Sequence, residues 1–210
     1  MKKILPILIV MCLVFSSCGR LINNPEDEKT AYEKVHDMLI NLQSFRSEAT
    51  VRFISNKNEN EYTTLQHGRI NGIYRIEIVS DDMANGSVTI FDGENILQFN
   101  PRIGGQVLVS HTENQERSEI LLTSFIRNYF TSKEVTVSVS NLGESRCTVL
   151  ETLIPGNHPY LYSQKLWIDN ETLAPVQLVI YDEQGSERIV VTYKSFEYNI
   201  DLEDSLFTVS

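Results

Sequence analysis

Cysteine is scarce in this chain, with three in 210 residues, and there are only four histidines and one tryptophan. The histidines are His36, His67, His111 and His158. No two stand in an H-x-x-x-H or H-E-x-x-H spacing, so the local signal for a zinc site is missing. Basic residues are outnumbered, 18 Lys and Arg against 28 Asp and Glu, for a net charge of −10. That balance excludes nucleic acid, and any anionic surface, as a partner held by charge. Glycine-rich phosphate loops are absent, since Gly104-Gly105 stands alone between strand-like segments. Gly143-Glu144-Ser145-Arg146-Cys147 lacks the second glycine of a nucleophile elbow. Asp81-Asp82 reads as a turn and Glu26-Asp27-Glu28 as a helix start, not as carboxylates facing each other across a cleft. The sequence therefore assigns no catalytic, cofactor-binding or metal-binding residue, and the chain reads as a non-enzyme.

Long apolar runs are also lacking, with one exception. Met1-Lys2-Lys3 precedes the apolar stretch Ile4 to Phe15, followed by Ser16-Ser17-Cys18-Gly19. A charged start, a short apolar segment and small residues before a lone cysteine form a lipoprotein signal. The stretch is shorter than the roughly 20 residues that a spanning helix needs. Residues 1–17 are read as a cleaved signal peptide, with Cys18 as the new N-terminus carrying acyl chains such as palmitate. Each buried CH₂ contributes about 0.8 kcal/mol, so two or more chains hold the protein firmly on a membrane. Cleavage leaves 193 residues, and the loss of Lys2 and Lys3 moves the net charge from −10 to −12. Cys12 leaves with the signal and Cys18 is consumed by lipid, so Cys147 alone remains and no internal disulfide can form. Its strand-like setting makes it a buried small hydrophobe.

After a tether at 18–24, residues 25–210 read as a single domain. Asn24-Pro25-Glu26-Asp27 has the capping, proline and acidic signals of a helix start. Ala31, Val35, Met38, Leu39, Leu42 and Phe45 follow at helical spacing. His36 is placed on that helix's polar face, and His158 in a solvated loop. The period then becomes two: Ala49, Val51 and Phe53; Ile76 and Ile78; Val135, Val137 and Val139; Val176, Leu178 and Ile180; Ile189, Val191 and Tyr193. Each set predicts a strand with one face in the core. Asn71-Gly72, Asp92-Gly93, Asn141-Leu142-Gly143, Asp169-Asn170 and Gln184-Gly185 mark tight turns, which imply an antiparallel meander. Gln115 to Phe130 returns to helical spacing through Leu121, Leu122, Phe125, Ile126 and Tyr129. The order is helix, five or six strands, helix, about five strands. The fold class is α+β: a strongly curved antiparallel sheet, an open β-barrel, with two main helices packed on its concave side. Tyr181, Tyr193, Phe196, Tyr198 and Phe207 form either an interaction surface or a core stripe, and their alternation favours the core.

Phe91-Asp92-Gly93-Glu94-Asn95-Ile96-Leu97-Gln98-Phe99-Asn100-Pro101 and Leu166-Trp167-Ile168-Asp169-Asn170-Glu171-Thr172-Leu173-Ala174-Pro175 resemble the signature hairpins of the LolA/LolB-like superfamily. Asp204-Ser205-Leu206-Phe207 is similar to that superfamily's C-terminal end. Trp167 is expected to fill the core. Within the superfamily, three stretches resemble the clostridial germination lipoprotein GerS family. They are Ile54 to Asn58, Leu122 to Tyr129, and Leu178 to Asp182 with Glu187 to Tyr193. The resemblance implies a non-catalytic partner that binds and activates an N-acetylmuramoyl-L-alanine amidase of the CwlD type, for spore cortex modification and germination. It places the protein on the extracytoplasmic face of a bacterial membrane, such as the forespore intermembrane space. It also allows a lipid- or lipoprotein-binding carrier that uses an apolar cavity of the open barrel. Open sheet edges allow a homodimer by strand exchange, with Ser80 to Gly86 as hinge. The sequence leaves the partner-binding residues unassigned.

Overall fold

A computed structural model describes residues 29–80, 84–102, 104–110 and 119–208. The signal peptide, Cys18, the tether, residues 81–83 of the expected hinge and His111 lie outside the described residues. Helix α1 (Ala31–Ile40) leads into six strands: β1 (Ser44–Ile54), β2 (Glu59–Arg69), β3 (Tyr74–Ile78), β4 (Val88–Phe91), β5 (Asn95–Asn100) and β6 (Gly105–Ser110). Helix α2 (Leu122–Thr131) follows, then β7 (Val135–Leu142), β8 (Ser145–His158), β9 (Leu161–Asp169), β10 (Pro175–Tyr181) and β11 (Glu187–Tyr198), with a 3-10 turn at Asp204–Phe207. The expected order of elements is the one observed. Glu119 to Leu121 precede α2 in non-helical conformation, so the second helix starts later than the sequence spacing suggested.

All strands join one antiparallel sheet in the order β6-β5-β4-β3-β2-β1-β11-β10-β9-β8-β7. Two meanders meet at the β1–β11 pair, and the sheet does not close, because β6 and β7 stand at its two ends. Eleven strands laid flat would span roughly 50 Å, while a ten-residue helix is about 15 Å long. Yet Val35 and Leu39 of α1 and Phe125 and Ile126 of α2 share a core with Phe91 and Ile96 near one end of the sheet. Leu150 and Leu166 near the other end belong to the same core. Helices this short reach both halves only because the sheet curls around them.

The inner face follows the period-two expectation, with one device the sequence hides. On β1, Phe45, Ser47, Ala49 and Val51 are buried. Ser195 faces Glu48 and Tyr193 faces Ala49, so Lys194 is an extra residue in β11. This bulge shifts the parity. It brings Phe196 and Tyr198 to the same side as Tyr193. Phe196 then stacks on Phe45 at 5.4 Å between ring centres and meets Tyr198 at 4.6 Å. Of the C-terminal aromatic stripe, Tyr193, Phe196 and Tyr198 belong to this core, Phe207 belongs to a separate cluster on the outer face, and Tyr181 is half-buried beside Lys165. Gly68, opposite Phe45 on β2, leaves room for that ring: a Cβ there would sit 2.3 Å from Phe45 Cε1.

Two expectations fail. Leu166 and Ile168 are fully buried on the inner face, so Trp167 between them points outward, across from Val149 and Gln177, and is half-buried. The β7 valines are not core: Val135, Val137 and Val139 are 38%, 42% and 56% exposed. Helix α2 packs on β8, one strand short of the end, and the terminal strand keeps an uncovered apolar face. A second, small cluster closes the outer face of the first meander. There Leu202 and Phe207 pack on Ile90 and Leu97. Arg69 clamps this tail through an ion pair to Asp204 at 2.7 Å and a stack over the Phe207 ring at 4.9 Å.

Candidate partner-binding surfaces

The residues able to carry chemistry are dispersed by the fold. His36 is not solvated as expected. It packs among Tyr32, Tyr129 and Phe130, with ring centres 5.5 to 6.3 Å away, in an aromatic cluster between the two helices. His67 sits in a cross-strand row between Arg46 on β1 and Arg75 on β3. Burial, and then the two guanidinium groups, push its pKa down, so it is neutral and in a setting that repels a cation. His158 ends β8, exposed, and its Nδ1 accepts from the Tyr160 N–H at 3.3 Å. Cys147 is fully buried, as expected. Burial and the nearby Asp169 carboxylate push its thiol up, away from the nucleophilic thiolate. Ser145 stands at the start of β8, beside the tight turn from β7. Among the described residues, no group of three or more His, Cys, Asp and Glu side chains could hold a metal ion.

What the fold does assemble is a cleft of about 350 Å³ between α2 and the start of β3. Its apolar walls are Ile70, Tyr74 and Phe91 from the sheet, with Ile126 and Phe130 from the helix. Asn71, Thr123, Arg127 and Thr131 supply polar groups. Gly72, with φ +93°, makes the β2–β3 turn that sets one lip. Ile70 and Phe130 are exposed at the two lips. Phe130 is held by Tyr129 at 5.0 Å and by His36, and Tyr129 shares a 3.2 Å hydroxyl contact with Tyr32 of α1. The helical lip is thus braced by the first helix. Among the described residues, Arg127 is the only charged one that lines the cleft, and no carboxylate, histidine or thiol does. Such a cleft can seat an apolar group beneath polar contacts. The space beneath the helices is occupied instead by Leu121 and Phe125, both fully buried.

At another end of the sheet three hairpins are tied together. The Asp182 carboxylate, buried at the β10–β11 turn, accepts from the backbone N–H groups of Ser186 and Gln184 and from Arg188 Nε. These donors hold its pKa below the usual carboxylate range, the Ser186 amide foremost. Arg188 Nη1 donates to Asn56 Oδ1 in the β1–β2 turn, and its guanidinium lies 5.3 Å from the Tyr160 ring. The Glu183 N–H donates to the Pro159 carbonyl. The result is a rigid tip bearing exposed Tyr160 and Tyr162. Neither this tip nor the cleft was singled out in the sequence. Each is built from segments far apart in the chain.

The profile of a family described as sporulation protein YdcC-like matches residues 1–207. No curated protein matches the chain. Among solved structures, the chain is similar to one in the structure of the CwlD amidase from Clostridioides difficile in complex with the GerS lipoprotein. The identity is 27%, covering 80% of this chain and 94% of that one, with a TM-score of 0.51. It shares its fold with an uncharacterized conserved protein from Thermus thermophilus, at 11% identity, 86% and 95% coverage and a TM-score of 0.54. A LolA superfamily protein from Nitrosomonas europaea is similar at 15% identity, 85% and 96% coverage and a TM-score of 0.46.

Proposed function

Because the chain belongs to the YdcC-like sporulation protein family, we propose that it works as a non-catalytic lipoprotein that binds and activates a CwlD-type N-acetylmuramoyl-L-alanine amidase in spore cortex modification and germination. The observation that carries this reading is the likeness, over most of both chains, to a structure in which such an amidase is in complex with the GerS lipoprotein. The cleft beside α2 supports it. Its apolar floor and exposed Ile70 and Phe130 lips suit an anchoring side chain of a partner, the usual centre of a protein interface. In this reading Cys18 carries the lipid and holds the domain on the extracytoplasmic face of a membrane. No helix among the described residues is long and apolar enough to cross one. The test is co-expression of the full chain with the cognate amidase, followed by affinity capture and sedimentation. A stable complex is expected, and two independently sedimenting proteins overturn the proposal.

The cleft also favours one second reading, a binder of acyl chains. At about 350 Å³ it lies at the small end of ligand sites. Saturable displacement of a fluorescent fatty acid, abolished by Phe130→Glu, is the result that reading requires.

A further inference from the structure

One row of side chains crosses the outer face of six adjacent strands, from β8 to β2. Val149 stands opposite Trp167, Trp167 opposite Gln177, Gln177 opposite Thr192, Thr192 opposite Thr50, and Thr50 opposite Thr63. They face outward because their neighbours along each strand, such as Leu166 and Ile168 or Val191 and Tyr193, fill the core. The register shift at Val176 sets Gln177, and not that valine, beside the indole. None of the six is charged, yet both borders are. On one side lie Glu151 opposite Lys165 and Arg52 opposite Glu61. On the other, Lys194 pairs with Glu48 at 3.4 Å. In a chain with 22% charged residues, this is a neutral lane between charged rims. The chain's single tryptophan is half-buried within it. The polar members are held in place: Gln177 Nε2 donates to Thr192 Oγ1 at 3.4 Å, and Lys194 Nζ donates to Thr63 Oγ1 at 3.3 Å.

We propose that this lane binds a glycan strand, the N-acetylated sugar backbone of peptidoglycan, laid across the strands with one sugar face on Trp167. The chemistry of the lane selects the occupant. A pyranose ring has a face of axial C–H bonds, partly positive, which suits the negative face of an indole. Its edges carry hydroxyl groups, and the Gln177 amide and the threonine hydroxyls each offer both a donor and an acceptor to them. Gln177 also matches an acetamido substituent, its NH₂ donating where that group accepts and its carbonyl accepting where that group donates. Charge complementarity excludes the alternatives. A polyanion meets a net charge of −10, and the Lys194 that borders the lane is already paired to Glu48. An acyl chain or apolar peptide would leave the amide and hydroxyl groups without partners. The spacing fits as well. Adjacent strands lie about 4.8 Å apart, a step similar to the length of one β-linked pyranose, so five steps cover roughly 24 Å. The inference rests on the amidase reading only for the source of the glycan. An activator that grips the strand would hold its enzyme beside the substrate and raise the local concentration of both.

Trp167 reports on the lane by its own fluorescence, since the chain has no other tryptophan. Chitohexaose, a soluble N-acetylglucosamine oligomer, is titrated into the detergent-solubilised full chain. The emission should shift to shorter wavelength with saturation, equally at about 0.1 M and 1 M salt because no charge carries the contact. Chitobiose, which covers a fraction of the lane, should bind at least about tenfold more weakly. By calorimetry, Trp167→Ala should weaken chitohexaose binding at least about tenfold, with part of the loss recovered in Trp167→Phe. Thr192 is exposed, so Thr192→Arg leaves the core alone and lays a long side chain over the lane. It should weaken binding at least about fivefold with the thermal midpoint kept. Peptidoglycan sacculi stripped of their stem peptides should sediment the parent chain, and should leave the Trp167→Ala and Thr192→Arg chains in solution. Unchanged emission with no co-sedimentation overturns the proposal. Binding that survives both substitutions overturns it too, as does equal binding of cellohexaose, which lacks acetamido groups. Amidase capture is read separately. A chain that captures the amidase but ignores every glycan sinks this proposal alone, and one that binds the glycan as described but no amidase upholds the lane while removing the amidase reading.

Discussion

Gly68 and Phe45 give the sharpest test of the packing. Gly68 has no positive φ, so its role is not conformational freedom. A Cβ there would meet Phe45 Cε1 at 2.3 Å, Cζ at 2.8 Å and Cδ1 at 3.2 Å. Phe45 cannot yield easily, being fully buried and stacked on Phe196 with 10° between the ring planes. Gly68→Ala should therefore cost about 1–3 kcal/mol as overpacking, offset by the roughly 0.5–1 kcal/mol that alanine gains over glycine within a strand. The net is a loss of about 0–2.5 kcal/mol, centred near 1 kcal/mol, which is a fall of roughly 2–4 °C in thermal midpoint for a domain of this size. Trimming the ring removes the clash, so Phe45→Leu should cost less in the Gly68→Ala background than alone. The coupling across the double-mutant cycle should be about 1 kcal/mol. Urea titration of the four proteins measures it. A Gly68→Ala chain more stable than the parent, or strict additivity, would refute the account of why glycine stands there.

Other outcomes follow from the same geometry. The depressed pKa of Asp182 means that its contribution to stability is present above its unfolded value near pH 4 and is lost as pH falls through the lower folded value. Asp182→Asn should lower stability at pH 7 and flatten the decline below about pH 4 in acid titrations followed by circular dichroism. Phe130→Glu places a charge on the lip of the cleft, where the residue is already exposed. It should weaken amidase binding at least about tenfold by calorimetry, with the thermal midpoint kept. Cys18→Ser should move the protein from the membrane pellet to the supernatant on cell fractionation, because acyl burial is then lost.

Much of the architecture could be read from residue order. The switch from helical spacing at Val35–Leu39 to alternation at Ala49–Val51, the return at Leu121–Tyr129 and the Asn-Gly and Asp-Gly turns describe two meanders separated by a helix. The burial of Cys147 followed from its strand. Trp167 shows a signal that was present but unused: alternation with Leu166 and Ile168 already places it on the opposite face. The β7 valines show a different limit. Alternation says which side of a strand is apolar, but not whether any layer covers it, and cover depends on where α2 lands across the sheet. Bulges were invisible too, because Lys194 carries no mark that it is the extra residue bringing Phe196 and Tyr198 inward. The cleft joins residues 70–91 to residues 123–131, and its depth comes from tertiary placement that no local pattern encodes.

The central claim is that this protein acts through its surface on another enzyme's activity. The most direct measurement is hydrolysis of peptidoglycan by the cognate amidase as the purified protein is titrated in, alongside the protein alone. The account predicts a saturable rise in amidase rate and no hydrolysis without the amidase. An unchanged amidase rate across the titration, or hydrolysis by the protein on its own, would contradict it.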